Sequence, residues 1–449
     1  MSTAKNIPAQ AGTALYLVSL GCSKNLVDTE VIAGTLLTSG RTLAFEPDEA
    51  DLYVINTCAF LPAAREEAFA AIREAIEWKR AAEGRRLVVS GCLTEWDKAG
   101  DVKKKFPEVD LWTGVNQTAK LAELLDGGDA PAPAGSPCYL YDETTPRLQL
   151  TLPHLAYLKI ADGCNNRCTY CSIPGIRGSL RSRSIASVTA EAKALIGNGV
   201  RELLVIAQDI TAFGMDRPEA GENLQLLLEE LNALEGDFVI RLLYTHPAHY
   251  TEGLIDFLAR QDTKALPYLD IPLQHCNDKI LKKMNRRGDK KYLCALLDKL
   301  RERIPGLVLR TSLITGLPGE GEAEFEELCE FLREAKIERA GVFPFSPEEG
   351  TPAARMEYPP KDVAMERAAL VERLQAEVMD VWEGSLVGRE VEAICDCIDG
   401  ETGLAVGRSW VDSPGIDGGA VMEGECEPGD IVTFRVESAE DGVLRGRII

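Results

Sequence analysis

Apolar positions follow two alternating periods over the first quarter of the chain. Short β-branched and aliphatic runs at Leu15–Leu20, Leu52–Asn56 and Leu87–Ser90 read as strands. Within Ala63–Arg80, Phe69, Ile72 and Ile76 recur at the spacing of an amphipathic helix. Strands alternating with helices over residues 13–125 predict a parallel sheet with crossover helices.

The alternation resumes over residues 150–380. Strands are expected near Tyr157–Ile160, Glu202–Ala207, Val239–Tyr244, Tyr268–Ile271, Leu307–Ile314 and Gly341–Phe345. Helical stretches separate them, including Leu224–Leu234, Tyr292–Arg303 and Glu322–Lys336. Six β/α units predict an incomplete parallel barrel, not a closed eightfold one. Residues 126–147 read as a linker, because Gly127 to Gly135 is rich in Pro, Gly and Ala and has no period. Beyond residue 384 helical pattern stops. Short strands at Glu390–Ile394, Gly403–Val406 and Ile431–Val436 alternate with Gly-rich turns, as in a small β-barrel of the OB type. The expected domains are 13–128, 150–382 and 384–449, an α/β chain with a small all-β end.

Composition narrows the class. The chain has 449 residues, 45% of them hydrophobic, which suits about three domains and excludes wholesale disorder. No apolar run approaches the roughly 20 residues of a membrane span. Met1–Gln10 lacks the apolar centre of a secretion signal, so a cytoplasmic protein is expected. Thirteen cysteines in such a chain point to metal or redox chemistry, not disulfides. The net charge of −22 argues against generic nucleic-acid binding and favours a basic partner.

Two cysteine sets stand out. Cys164, Cys168 and Cys171 form C-x3-C-x2-C directly after a predicted barrel strand, on the face where such barrels place their chemistry. Three thiolates on one loop can hold three irons of a 4Fe-4S cluster and leave the fourth open. A structural zinc site would need a fourth ligand, and none follows nearby. Cys22, Cys58 and Cys92 each follow one of the three N-terminal strands, so the shared sheet edge can bring them together. Cys395 and Cys397 are expected on one strand face, a weak metal signal. Cys294 and Cys329 read as core.

The C-x3-C-x2-C motif with Tyr170 before its last cysteine, on a six-unit barrel, resembles the signature of radical S-adenosylmethionine (SAM) enzymes. That resemblance implies SAM on the open iron, cleaved by one electron to a radical that takes hydrogen from an unactivated carbon. Ser-Leu-Gly-Cys-Ser-Lys-Asn-Leu-Val-Asp-Thr-Glu at 19–30 and Ile-Asn-Thr-Cys-Ala-Phe at 55–60 resemble the N-terminal domain of methylthiotransferases. There the three cysteines corresponding to Cys22, Cys58 and Cys92 hold an auxiliary 4Fe-4S cluster that carries the sulfur. The resemblance thus implies two clusters and two SAM per turnover. It also implies a flavodoxin- or ferredoxin-type electron donor and a monomeric enzyme. The Gly-Gly-Glu-like motif of radical SAM barrels is replaced here by Ala207-Gln208-Asp209. Thr315-Gly316-Leu317-Pro318-Gly319-Glu320 is the region that borders SAM in the family, and its glycines permit close approach to a ligand.

Two substrate classes are known for this architecture: adenosine in transfer RNA, and an aspartate β-carbon in the small-subunit ribosomal protein S-twelve. The last 65 residues resemble a TRAM domain, yet carry 14 Asp and Glu against 5 Arg and no Lys, a net of −9. Such a surface repels RNA phosphates and attracts a basic protein, so Asp412, Asp417, Glu423, Glu425 and Glu427 are expected to face substrate Lys and Arg. The expected product is 3-methylthioaspartate, without stable nucleic-acid binding. The transfer-RNA activity is the alternative, followed by sulfur insertion into a small molecule and a non-enzymatic two-cluster electron carrier. Arg177, Arg181 and Arg183, and the run Lys282, Lys283, Arg286, Arg287, Lys290 and Lys291, read as solvated faces or as docking sites for an acidic substrate. His246 and His275 fall at strand ends, where functional and structural readings stand equal.

Overall fold

Residues 12–128 and 137–449 are described by the computed structural model. Most of the Pro/Gly/Ala segment of the expected linker, and the Met1–Gln10 segment, lie outside them. The N-terminal sheet comprises β1 (Ala14–Ser19), β2 (Thr42–Leu43), β3 (Leu52–Thr57), β4 (Arg86–Gly91) and β5 (Leu111–Thr113). All pairings are parallel, in the order β2-β1-β3-β4-β5. Every residue of β3 is buried, as expected for a sheet covered on both faces. Strand order reverses between β1 and β3, the position where open α/β sheets bind ligands beyond their C-terminal ends. Helices α1 (Ser23–Thr38) and α2 (Pro62–Arg80) follow β1 and β3. The two-residue β2 and three-residue β5 are too short to leave a periodic signal.

The second unit contains β6 (Leu155–Lys159), β7 (Ala161–Asp162), β8 (Arg181–Ser182), β9 (Glu202–Ile206), β10 (Val239–Leu242), β11 (Ala265–Asp270), β12 (Val308–Thr315) and β13 (Arg339–Pro344). Six of them form one parallel sheet in the order β13-β12-β11-β10-β9-β6. The partial barrel and its six strands therefore match the sequence pattern. The short antiparallel hairpin β7–β8 flanks the C-x3-C-x2-C loop. Exposed apolar residues such as Met365 and Val381 blur the stripe of the long helix Lys361–Gly384.

The C-terminal unit is a closed barrel, β14 (Glu390–Ile398), β15 (Ala405–Ser409), β16 (Gly419–Glu423), β17 (Ile431–Glu440) and β18 (Val443–Ile448), in the order β14-β15-β16-β18-β17. A bulge shifts the register between Cys395 and Cys397. Cys395 is consequently buried and Cys397 exposed, so the expected shared face does not exist.

This small barrel packs against the lower, N-terminal part of the partial barrel through buried charges. Glu202, the first residue of β9, pairs with Arg241 at 2.7 Å and with Arg408. Arg408 reaches Asp396 at 2.7 Å, and His154 Nε2 meets the same carboxylate at 2.8 Å. Arg339 joins Asp412 at 2.9 Å and Glu383 at 3.0 Å. Asp417 accepts from the Tyr268 hydroxyl at 2.5 Å and pairs with Arg310 at 3.4 Å. Asp412 and Asp417 are thus spent inside the protein, against the expectation that they face substrate. Of the five acids, Glu423, Glu425 and Glu427 are exposed.

Burial pushes the Glu202 carboxyl up, but Arg241 and then Arg408 outweigh it and hold it below the usual range. Its folded pKa is therefore depressed, and its stabilisation is complete above the unfolded value of about 4.3 and lost as pH falls through the folded one. Glu202→Gln is expected to lower stability at pH 7 by about 3 kcal/mol, since buried Arg241 loses its carboxylate partner and Arg408 keeps only Asp396. In urea titrations the gap between variant and parent should shrink below pH 4; a constant gap down to pH 3 contradicts this assignment.

Candidate functional site

The three N-terminal cysteines leave adjacent strand ends. Cys22 caps α1 after β1, Cys58 follows β3, and Cys92 opens the short helix Cys92–Trp96 after β4. Buried amides hold these turns together. Asn25 Nδ2 donates to the Leu20 carbonyl at 2.7 Å and the Asn56 carbonyl at 3.2 Å. Asn56 Nδ2 returns a bond to the Asn25 carbonyl at 2.8 Å. The Thr57 hydroxyl donates to the Ser90 carbonyl at 2.6 Å, tying the β3 end to the β4 end. Gly21 has φ +89°, and a Cβ there would lie 2.4 Å from Cys58 Cβ and 2.8 Å from its sulfur. Only glycine lets the β1 turn pass that close to Cys58.

Burial pushes the Cys58 thiol up, with a smaller contribution from Cys22. Burial drives Cys92 to about 12, opposed by Arg177 and reinforced by Cys22 and Cys58. The three sulfurs therefore share one electrostatic neighbourhood.

The second set behaves alike. Burial raises Cys164 to about 11 and Cys171 to about 12, and the other thiols of the set add to it. The loop is pinned from outside: Thr169 N–H donates to the Met284 carbonyl at 3.1 Å, and Ala353 N–H to the Thr169 carbonyl at 3.0 Å. The buried Arg286 guanidinium lies 3.9 Å from Cys168 Sγ. Arg286 therefore belongs to this site and not to a solvated face, whereas Lys282, Lys283, Arg287 and Lys291 are exposed.

Among the described residues, the set of three metal-capable side chains drawn within 4.8 Å of one another is Asp209, His246 and His249. Each cysteine set offers three thiols and no imidazole, the donor chemistry that suits an iron–sulfur cluster.

Asp209, His246 and His249 are held in a hydrogen-bonded network. Asp209 accepts from Asn166 at 2.7 Å, His249 Nδ1 at 2.9 Å and Thr211 at 2.5 Å. His246 Nδ1 accepts the Ala248 N–H at 3.2 Å. Burial, then the Arg286 charge, push His246 down to about 3, so it is neutral at pH 7. The group latches the cysteine loop, through Asn166, to the end of β9. His249, which the sequence did not flag, belongs to it.

One guanidinium ties the first cysteine set to the strand that precedes the second. Arg177 reaches Cys92 Sγ at 3.2 Å, Asn25 Oδ1 at 3.1 Å, Asp28 at 2.5 Å and Asp162 at 3.2 Å. Asp28 lies on α1, and Asp162 stands two residues before Cys164. Lys159 completes the cluster, contacting Asp28 and lying 3.6 Å from Asp162. All four charged side chains are at most 6% exposed. Burial raises Asp162, but Arg177 and Lys159 outweigh it and hold its carboxyl well below the usual range. Gln208 Nε2 donates to Asp162 at 2.7 Å, which gives the Ala207-Gln208-Asp209 segment a bracing role. Arg177 and Arg183 are buried in ion pairs and offer no docking surface.

The Gly-rich segment is braced from within the protein. Gly316 has φ +76°, and a Cβ there would lie 2.4 Å from the Ala364 Cβ. Its glycine serves packing against the helix Lys361–Gly384. Glu320 closes the loop by accepting from Gly316 N–H and Arg367, both at 2.9 Å.

Residues 158–332 match the radical SAM superfamily, 14–114 an uncharacterized protein family, UPF0004, and 387–449 the TRAM domain. The chain is 41% identical over 443 residues to the ribosomal protein uS12 methylthiotransferase RimO of Anaeromyxobacter sp. (strain Fw109-5), covering 98% of this chain and 94% of that protein. It is 42% identical over 440 residues to the protein of the same name from Geotalea uraniireducens (strain Rf4), covering 96% and 98%. Among solved structures, the radical SAM methyltransferase TsrM from Kitasatospora setae superposes with a TM-score of 0.56 at 15% identity, over 76% of this chain and 77% of that one. The cobalamin-dependent SAM radical enzyme OxsB gives 0.53 at 12% identity, over 81% and 56%. These two share the fold.

Proposed function

This chain belongs to the RimO family of ribosomal protein uS12 methylthiotransferases, and we propose that its substrate is an aspartate of uS12, converted to 3-methylthioaspartate. The activity is that of a radical SAM methylthiotransferase. The observation that carries the reading is the pair of three-cysteine sets on adjoining domains, both within reach of one buried network.

Cys164, Cys168 and Cys171 hold the 4Fe-4S cluster that takes SAM, and Cys22, Cys58 and Cys92 hold an auxiliary one. Together these groups, with two SAM, supply hydrogen abstraction from the aspartate β-carbon and the methylthio group that replaces that hydrogen. The protein's own part is positioning and water exclusion. Cys92 and Cys171, protonated while empty, release protons when loaded. Arg286 orients Cys168. Lys24, 3.1 Å over the Tyr244 ring, closes the seam between α1 and the end of β10. The electron donor is of flavodoxin or ferredoxin type, and the enzyme works as a cytoplasmic monomer, where its ribosomal substrate is made.

Glu423, Glu425 and Glu427 remain exposed for a basic substrate, but the small barrel sits at the lower strand ends. β12 alone, at about 3.3 Å per residue, spans about 25 Å to the mouth. These acids therefore attract uS12 without touching the reacting aspartate. Reversing all three to Lys should slow association with uS12 roughly tenfold at low salt and leave the chemical step unchanged. Salt should weaken the effect, because exposed charges are screened within about 8 Å at about 0.15 M. Interferometry with uS12 and transfer RNA tests this. Tight transfer-RNA binding by the parent, strengthened by the reversal, would favour the adenosine activity instead.

A further inference from the structure

We propose that Arg177 is a positioning residue that also sets the reduction potential of the auxiliary cluster; this rests on the reading that Cys22, Cys58 and Cys92 hold that cluster. Arg177 is the cation in direct contact with a sulfur of that set, 3.2 Å from Cys92 Sγ. It is also shared between Asp28 of the N-terminal domain and Asp162 of the radical domain, at 2.5 and 3.2 Å. With Lys159 the network holds two cations and two anions, neutral overall and shielded from water.

A donor on a cluster sulfur, especially a charged one, stabilises the more negative, reduced state. Low dielectric magnifies that effect at a buried site. Removing the guanidinium leaves Asp28 and Asp162 with Lys159 alone, one negative charge in excess beside Cys92. The auxiliary cluster then becomes harder to reduce. The same four-way contact fixes the cysteine loop after β7 against the turn after β4, so one side chain governs both distance and potential. The Gln208 bond to Asp162 extends the brace to the end of β9.

The test uses the full chain with Cys164, Cys168 and Cys171 changed to Ala, so that remaining iron reports the auxiliary site alone. The readout is the midpoint from a paramagnetic-resonance redox titration. Arg177→Gln keeps an amide donor but loses the charge. It is expected to lower the reduced-to-oxidised ratio at fixed potential about tenfold, which is 59 mV for one electron. A midpoint unmoved in an iron-loaded Arg177→Gln protein overturns the inference. If that variant holds no iron, Arg177→Lys decides: retained iron with a ratio within about threefold of the parent supports it, because the charge is kept. Loss of iron in both variants, or a tenfold shift in the Lys variant, overturns it and leaves a folding role. A parent background without iron removes the auxiliary-cluster reading itself, and this inference with it.

Discussion

Changing Cys164, Cys168 and Cys171 to Ala is expected to abolish reductive SAM cleavage and halve the bound iron. The three thiols sit on one loop, burial raises Cys164 and Cys171, and Arg286 lies beside Cys168. Asp209, His246 and His249, the compact alternative, offer one carboxylate and two imidazoles in place of the three thiolates that hold such clusters. The rate should fall at least about a millionfold, the low end of enzymatic acceleration. The loop itself should survive, because its ties to Met284 and Ala353 are made by backbone. Release of 5′-deoxyadenosine after dithionite reduction is the measurement. Cleavage persisting in the triple variant contradicts the assignment.

Cys22→Ala, Cys58→Ala or Cys92→Ala should give the opposite division. SAM cleavage should stay within a few-fold of the parent, while methylthio transfer stops. Removing the Cys92 thiol leaves Arg177 with Asp28, Asp162 and Asn25, so the domain contact persists. The Asn25–Asn56 exchange likewise does not involve sulfur. Loss of SAM cleavage together with all iron would mean that these cysteines serve folding.

Local pattern made much of this legible. The six barrel strands announce themselves because each is a short aliphatic run between polar helices. One cysteine set is legible from its spacing on a single loop, and the other because thiols placed directly after parallel strands share one sheet edge. The Asn25 and Asn56 motif residues acquired their physical reason only in three dimensions, as a reciprocal clamp between two turns. Arg177 was unreadable in its role. Its partners Asp28 and Cys92 lie 149 and 85 residues away, and an arginine after a helix turn looks solvated by default. Asp412 and Asp417 misled for the same reason: net charge counts acids without telling which ones a neighbouring domain consumes. The bulge at Cys395 defeated an alternation rule that assumes unbroken pairing. The close approach of Gly316 to Ala364 on the helix Lys361–Gly384 was likewise out of reach of local pattern.

The most direct test of the central claim incubates the iron-loaded enzyme with uS12, SAM, a sulfide source and a one-electron reductant, and sequences the substrate by mass spectrometry. The predicted result is a single aspartate carrying CH3S in place of one β-hydrogen, absent when Cys22, Cys58 and Cys92 are Ala. Unmodified uS12, alongside methylthiolated adenosine in transfer RNA supplied in the same reaction, would contradict it.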